Sequence, residues 1–167
     1  MTTAVLSIGS NLADRLATLQ GAVDALRPWV TGVSPVYETA PWGPVPQGDY
    51  LNAIVLVDDP AAAAGDWLAR ARVAEDAAGR TREVRWGPRT LDVDVIDVVD
   101  GSGPVVSADP ALTLPHPRAA ERAFVLVPWL EVEPDALLGG ATVKRLVHDL
   151  DPAEVAGVRP RPDLVLR

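Results

Sequence analysis

Residues 50–57 read YLNAIVLV, and this short, mostly apolar run predicts a β-strand. Its even-numbered positions carry Tyr50, Asn52, Ile54 and Leu56, and its odd-numbered positions carry Leu51, Ala53, Val55 and Val57. Because successive side chains of a strand point to opposite faces, Tyr50 and Asn52 are expected to project from the same face. An aromatic ring beside an amide that can both donate and accept hydrogen bonds suits a flat heteroaromatic ligand. The same pair also suits an ordinary strand edge.

Strand and helix patterns alternate on both sides of this segment. Downstream, Asp59-Pro60 opens a helix that we expect to continue to about Ala78, with Gly79 as its C-terminal cap. The order strand, helix, strand, strand, helix, strand is that of a ferredoxin-like sandwich, so we predict an α+β fold with helices on one face of an antiparallel sheet. The other predicted elements are strands at Thr3–Ile8, Val33–Thr39, Val105–Val106 and Phe124–Val127, a strand carrying Asp92 and Asp94, a helix across Leu16–Leu26, a short helix carrying Arg122 and a helix at Thr142–Leu150, with a loop at 40–48.

The composition is typical of one packed globule. Of 167 residues, 48% are hydrophobic and 23% are charged, so we expect a single domain over residues 1–167, with 158–167 as a peripheral tail and a monomer as the default state. The net charge of -8 argues against general binding to nucleic acid or anionic membranes. The absence of cysteine excludes disulfides and thiolate zinc sites. With neither a basic leader nor an apolar run of about 18 residues, we expect a cytoplasmic protein.

Residues 79–96, GRTREVRWGPRTLDVDVI, combine four arginines with a strand pattern that carries two carboxylates. Asp92 and Asp94 share one strand face, with Cβ atoms about 7 Å apart. Two-metal sites hold their ions about 3.5–4 Å apart, and Mg²⁺ needs only one or two protein carboxylates beside water and phosphate oxygens. Arginine guanidinium groups match phosphate oxygens. The stretch therefore predicts a site for a metal-bound polyphosphate and for phosphoryl transfer.

The same residues also admit an ordinary explanation. Arginine outnumbers lysine 14 to 1, so arginines alone carry little information, and aspartates often lie on solvated strand faces. Their direct succession favours a functional site. A standard nucleotide loop is missing, because the P-loop requires a Gly-Lys-Ser/Thr sequence and Lys144 is the only lysine. If ATP binds, another arrangement must hold it.

Three further positions have both a functional and a structural explanation. Glu75 falls on the apolar stripe of its predicted helix near the negative helix end, which indicates a polar partner unless the last turn is frayed and solvated. His116 lies between two prolines in a segment of fixed direction, where it could bind a ligand or serve in capping or packing. Gly9-Ser10-Asn11 precedes a helix, and its backbone N–H groups could bind an anion or simply cap that helix.

Six sequence blocks, in matching order and spacing, give the chain a close resemblance to the 6-hydroxymethyl-7,8-dihydropterin pyrophosphokinase family, over roughly residues 4–147. The most specific block runs from Arg85 through Trp86 to Asp94. The resemblance implies that pyrophosphate is transferred from ATP to the hydroxymethyl group of the pterin, giving AMP and the pterin diphosphate in folate biosynthesis. The other blocks are Ile8–Leu12, Tyr37–Thr39, Asp49–Asn52, Leu114–Arg118 and Arg122–Leu126.

The resemblance also implies roles for individual residues. The implied catalytic set is Arg80, Arg82, Arg89, Asp92 and Asp94, whose two aspartates would bind two Mg²⁺ ions that bridge the phosphates of ATP. The implied ATP-binding set is Glu75, Arg82, Trp86, Arg89, Ile96, Thr113, His116 and Arg122. The implied pterin-binding set is Gly9, Thr39, Ala40, Trp42, Tyr50, Asn52, Trp86 and Phe124, with Tyr50 and Phe124 on either side of the ring.

Two departures from the family pattern fall in the pterin loop, where Ala40 replaces a frequent proline and Trp42 a frequent leucine, so this loop is expected to pack differently. Two other functions stay open. The aspartates could serve a metal-dependent phosphotransferase or phosphodiesterase that acts on a nucleotide without a pterin, or the chain could bind pterin or nucleotide without catalysis. The charge of -8 disfavours a nucleic-acid-binding role.

Overall fold

The computed structural model describes residues 1–12, 14–41, 43–79 and 90–167, and an antiparallel sheet forms its centre. The elements, in chain order, are β1 (Thr2–Ser10), α1 (Arg15–Leu26), β2 (Val30–Val33), β3 (Tyr37–Thr39), β4 (Tyr50–Asp59), α2 (Ala64–Ala77), β5 (Asp92–Asp100), β6 (Gly103–Pro104), β7 (Ser107–Asp109), β8 (Leu112–Leu114), α3 (Ala123–Val132), β9 (Leu137–Leu138), β10 (Ala141–Thr142), α4 (Val143–Asp149), α5 (Pro152–Ala156) and β11 (Arg159–Pro160). Among the helices of these residues, none has the length and apolar character needed to cross a membrane.

The strand order β11-β3-β4-β1-β5-β6 confirms the predicted ferredoxin-like arrangement. β1 lies at the centre and pairs antiparallel with β4 on one side and with β5 on the other. β3 pairs with the outer edge of β4, so β1, β3, β4 and β5 supply the four strands of the predicted pattern. α1 and α2 are its two connecting helices.

Both faces of the sheet carry packed apolar side chains. α1 and α2 cover one face, where Leu6, Leu19 and Trp67 are fully buried. α3 and α4 cover part of the opposite face around Ile54 and Trp129, so the prediction that helices lie on one face only is wrong. The alternation predicted for β4 is confirmed, because its odd-numbered apolar side chains join the first cluster whereas Ile54 joins the second.

The apolar run Phe124–Val127 lies in α3, so the strand predicted there is wrong. A short apolar run is compatible with either a buried strand or a buried helix. Here Val125, Leu126 and Trp129 are buried at helical spacing, and the carbonyl of Arg122 accepts the N–H groups of Val125 and Leu126 at 3.0 and 3.1 Å. The predicted short helix carrying Arg122 is likewise replaced by a 3₁₀ turn that ends just before it.

α2 begins later than the predicted start at Asp59. Asp59 ends β4 instead, and its Oδ2 binds Nη2 of Arg70 at 2.7 Å. The carboxylate of Asp66 accepts the N–H of Ala63 at 2.8 Å and so supports the observed helix start. At the other end, Gly79 adopts a φ of +72°, which fits its predicted role at the C-terminus of the helix.

The other differences concern short strands. Of the segment predicted as one strand at 33–39, Val33 ends β2 and Tyr37–Thr39 forms β3. The two strands separate where Ser34 exchanges hydrogen bonds with the backbone of Ile54 at 2.9 and 2.8 Å. The strand predicted at Val105–Val106 is wrong, because the short strand β6 lies immediately before it. α4 confirms the helix predicted at 142–150.

The segment 158–167, which we expected to be peripheral, contributes to one edge of the sheet. Val158 is buried, and β11 pairs antiparallel with β3. Farther along, the N–H of Arg167 donates to Oε1 of Gln20 in α1 at 2.8 Å. The described residues of the loop 40–48, which adjoins the same edge, form no helix or strand, as its prolines and glycines predict.

Candidate active site

Strand register brings three predicted site residues into one row across the sheet. Gly9 of β1 lies opposite Asn52 of β4 on one side and opposite Asp92 of β5 on the other. Directly opposed residues of antiparallel strands project from the same face. Because neighbouring strands lie about 4.8 Å apart, the backbones of Asn52 and Asp92 are about 10 Å apart. Asp94 occupies the next row, opposite Ser7.

Gly9 keeps the middle of this row open. A Cβ atom at this position would lie 3.2 Å from Oδ1 of Asn52 and 3.4 Å from Cδ1 of Tyr50. The first distance is tighter than nearly all real Cβ contacts, so a side chain at position 9 would force Asn52 to shift. The glycine therefore preserves the surface between Asn52 and the carboxylate of Asp92.

Asn52 and Thr39 form the buried polar part of the site. Asn52 is 4% exposed, and its Nδ2 donates to Oγ1 of Thr39 at 2.7 Å. Thr39 lies opposite Tyr50 across β3 and β4, so the three side chains share one face. Asn11 fixes the end of the adjoining loop, because its Nδ2 donates to the carbonyl of Gly48 at 3.0 Å.

Three residues of the predicted pterin set, Thr39, Ala40 and Phe124, line one cleft of about 350 Å³. Asn52 lies in the sheet row instead, and Tyr50 lies beside that row, opposite Thr39; neither residue is among those that line this cleft. Thr39 therefore joins the two parts of the predicted set, through its hydrogen bond to Asn52 and its place in the cleft. The other described lining residues are Pro41, Gly43, Ala123, Glu154, Gly157 and Val158.

The two aspartates project from one face of β5. Asp92 and Asp94 are partly exposed, whereas Val93 and Val95 are buried on the other face, as the alternation predicts. Glu75 of α2 is only 5% exposed, and its Oε2 accepts the N–H of Val93 at 3.1 Å. A polar partner for Glu75 is thereby confirmed and the frayed last turn is excluded. Its contact with a nucleoside stays a prediction.

Arg122 connects the carboxylates with the cleft. Its Nη1 lies 3.7 Å from Oδ2 of Asp94, and its Cζ lies 5.5 Å from the ring centroid of Phe124. The first distance is too long for a hydrogen bond, and the second is within the range of a cation–π attraction. Only 18% of the Arg122 side chain is exposed. In this arrangement the guanidinium group of Arg122, which lies between Asp94 and the ring of Phe124, can bind an anionic group.

His116 is held on two sides by the backbone. Its own N–H donates to the carbonyl of Ile96 at 2.8 Å, and its Nδ1 accepts the N–H of Arg118 at 3.2 Å. Burial, followed by the charges of Arg122 and Arg118, lowers the pKa of His116 to about 4. The ring is therefore neutral at pH 7. Because Nδ1 is an acceptor, the proton lies on Nε2, which can donate it in a hydrogen bond to an anion.

The remaining predicted residues divide into two groups. Ile96 is fully buried in the core of the α3 face, and Thr113 lies in the β7–β8 hairpin, where its Oγ1 donates to the carbonyl of Asp109 at 3.0 Å. Their contact with ATP stays a prediction. The rest of the predicted set falls outside the described residues and comprises Arg80, Arg82, Arg89, Trp42 and Trp86.

Some residues of the site have no counterpart in the predicted set. Ser7 could have been found from the sequence, because it lies two residues before Gly9 and so on the same strand face. Gly157 and Val158 reach the cleft through the folding of a distant segment, and no local motif marks them.

Comparisons with known proteins show the family to which the chain belongs. The family model of 7,8-dihydro-6-hydroxymethylpterin-pyrophosphokinase matches residues 5–134. Three relatives are named 2-amino-4-hydroxy-6-hydroxymethyldihydropteridine pyrophosphokinase. That of Mycobacterium leprae is 54% identical over 95% of this chain and 88% of the relative, and that of Mycobacterium bovis is 48% identical over 95% and 89%. That of Methylorubrum extorquens is 44% identical over 95% and 99%.

Solved structures share the fold. The HPPK-DHPS of Plasmodium falciparum aligns with a TM-score of 0.65 over 88% of this chain, at 12% sequence identity. The chain spans only 44% of the length of that protein, so the likeness concerns one part of it.

The family model and the named relatives define an ATP-dependent pyrophosphokinase. The chain belongs to the 7,8-dihydro-6-hydroxymethylpterin-pyrophosphokinase family, whose members act in folate biosynthesis.

Proposed function

We propose that this enzyme transfers the diphosphate of ATP to the hydroxymethyl oxygen of 6-hydroxymethyl-7,8-dihydropterin, with release of AMP. The row formed by Asn52, Gly9 and Asp92 carries the proposal. It places the backbone of Asn52, whose side-chain amide can bind a pterin edge, about 10 Å from the backbone of Asp92, whose carboxylate can bind a metal ion. One pterin with its hydroxymethyl group can bridge that separation.

We assign two Mg²⁺ ions to Asp92 and Asp94. Their carboxylates share one face of β5 and are partly exposed. In the described ranges no three acidic or histidine side chains come together, so a cage made of protein ligands alone is absent there. Two carboxylates nevertheless fit Mg²⁺, which completes its octahedron with water and phosphate oxygens. When bound, the ions would neutralise charge on the phosphates of ATP.

The proposed reaction is an in-line substitution at the β-phosphorus. The pterin oxygen bonds to this phosphorus while the bond from the phosphorus to the α,β-bridging oxygen breaks, and AMP leaves with that oxygen. The hydroxyl proton is released, and we assign no side chain to accept it. Because charge is spread over phosphate oxygens, the residues contribute mainly by positioning and electrostatic stabilisation.

Arg122 and His116 provide the phosphate contacts in the described part of the site. Arg122 offers a permanent cation beside Asp94, and the neutral ring of His116 offers its Nε2–H. Glu75 supports Asp92 and Asp94 indirectly, since its carboxylate accepts the N–H of Val93 between them. In this proposal the remaining phosphate contacts come from Arg80, Arg82 and Arg89.

The pterin would lie on the row between Tyr50 and Phe124. Asn52, held by Thr39, binds its edge, and the open surface at Gly9 admits it. In this proposal Ala40, Trp42 and Trp86 complete its surroundings.

We further propose that the enzyme is a cytoplasmic monomer, which fits a reaction that draws on the cellular ATP pool. Light scattering of the purified protein should give a mass near 17.7 kDa. Twice that mass would contradict the monomer without affecting the reaction.

The test of the reaction is to incubate purified protein with Mg²⁺, ATP and 6-hydroxymethyl-7,8-dihydropterin and to separate the products by chromatography. Equal amounts of AMP and pterin diphosphate support the proposal. ATP turnover that does not depend on the pterin would favour a nucleotide phosphotransferase or phosphodiesterase. Ligand binding without products would favour a silent binding protein.

A further inference from the structure

Two acidic residues flank the pterin loop, and two arginines each contact both of them. Glu38 precedes Thr39 and the loop, and Asp49 follows the loop. Nη1 of Arg15 binds Oε2 of Glu38 at 2.6 Å and donates to the carbonyl of Asp49 at 3.1 Å. Nη2 of Arg159 binds Oδ2 of Asp49 at 2.8 Å and lies 3.7 Å from Oε1 of Glu38.

The carboxylate of Glu38 is the centre of this network. The hydrogen bond from Arg15 is the main cause that lowers the pKa of Glu38, with further contributions from the charges of Arg161 and Arg159. Arg161 lies 3.2 Å from the same carboxylate. Only 16% of the Glu38 side chain is exposed, so these charges are screened less than an isolated surface pair.

Arg159 reaches the loop from a distant part of the chain. It belongs to β11, where it lies opposite Glu38 in the pairing with β3. Directly before it, Gly157 and Val158 line the cleft that Ala40 also lines. One segment therefore contacts both ends of the loop and forms part of the cleft beside it.

We propose that Arg159 is a positioning residue for the pterin, which it serves by holding the two ends of the loop at a fixed separation. The inference rests on the proposed function, because it assumes that the loop and the adjoining Thr39 bind the pterin. Arg159 does not touch the reacting atoms. Its effect is on the affinity for pterin and is separate from the binding of ATP at Asp92 and Asp94.

The test is Arg159→Gln, measured as separate KM values for pterin and ATP together with kcat and Tm. Pterin KM should rise about two- to fivefold, the size expected for loss of one partly exposed ion pair. The ATP KM, kcat and Tm should stay near the wild-type values. Arg159→Lys keeps the charge and should recover part of the affinity. The matched control is Arg145→Gln, an exposed arginine that is paired with Asp149 at 3.1 Å and lies outside the cleft lining.

A double-mutant cycle with Asp49→Asn separates this contact from a general loss of charge. The double variant should bind pterin no more weakly than the weaker single variant, because both changes remove the same bridge. An unchanged pterin KM, additive effects, or equal increases of both KM values would overturn the positioning role.

Pterin affinity should also be measured by fluorescence titration with a nonhydrolysable ATP analogue. If wild-type protein binds pterin but forms no diphosphate, the proposed function fails while the role of Arg159 is still tested.

Discussion

Arg70 and Arg122 lie at opposite ends of the sheet, and each is close to an aromatic side chain and an aspartate. The guanidinium Cζ of Arg70 lies 3.7 and 4.6 Å from the ring centroids of Trp29 and Trp67, and its Nη2 binds Asp59 at 2.7 Å. The corresponding distances at Arg122 are 5.5 Å to the ring of Phe124 and 3.7 Å to the carboxylate of Asp94. The guanidinium group, the aromatic rings and the carboxylate are thus closely packed around Arg70, whereas the corresponding groups are farther apart around Arg122.

The difference indicates what each arginine binds. Nη1 of Arg70 is buried and has no hydrogen-bond partner within the described residues, so the two indole rings supply much of the compensating attraction. Such an arrangement stabilises the fold. Around Arg122 the contacts are too long to satisfy the guanidinium fully, as expected for a site whose proposed partner is a phosphate group.

The largest effect is expected at the acidic partner of Arg122. Asp94→Asn should lower kcat by roughly 10²–10³-fold, because it removes a proposed Mg²⁺ ligand while keeping the side-chain shape. Tm should change little, since the residue is partly exposed. Steady-state kinetics at saturating Mg²⁺ and a thermal melt provide the measurement, with the exposed Asp149→Asn as control. Near-normal turnover would contradict the metal assignment.

Arg122→Ala should act on catalysis more than on stability. We expect kcat to fall about 10- to 100-fold through lost stabilisation of the transferred phosphate, with a Tm close to that of the wild type. Arg145→Ala, at an exposed arginine that pairs with Asp149, is the control. A large fall in Tm with unchanged kcat would make Arg122 a structural residue like Arg70 and would remove the difference between the two clusters.

Arg70→Gln should show the reverse pattern. The substitution leaves Asp59 with an uncharged partner and removes the cation that lies over the two indole rings. The free energy of unfolding should therefore fall by about 2 kcal/mol. Urea denaturation measures this loss, and kcat at 25 °C should be unchanged. Arg72→Gln on the exposed face of the same helix should change stability by less than about 0.5 kcal/mol. Equal losses in both variants would contradict the cation–π cluster.

The smallest effect is expected from filling the open row. Gly9→Ala places a methyl group 3.2 Å from Oδ1 of Asn52 and should raise pterin KM by about fivefold, in line with a shift costing about 1 kcal/mol. The ATP KM should change less. Gly21→Ala in α1 meets nothing within 4 Å and should instead stabilise the protein by about 0.5–1 kcal/mol without changing KM. An unchanged pterin KM in Gly9→Ala would show that the pterin does not use the row.

The elements of the molecule also differ in how far they can be predicted from sequence. The Asp92 strand and the alternation of β4 were predictable because a period of two is a local property. The strand predicted at Phe124–Val127 was wrong because an apolar run carries no period of its own, and packing against the sheet selected the helix. The row of Asn52, Gly9 and Asp92 depends on register between distant strands, which no short motif contains.

The pairing of β11 with β3 has a consequence for the order in which the protein is made. The central strands β1, β3, β4 and β5 are complete once residue 100 has been synthesised, whereas Arg159 and its own strand, β11, follow much later. A nascent chain can therefore assemble the sheet that carries Asp92 and Asp94 while the pterin loop still lacks one of the two arginines that join its ends. On the ribosome, the strands that carry the proposed metal-binding aspartates should therefore form before both arginines can hold the ends of the pterin loop.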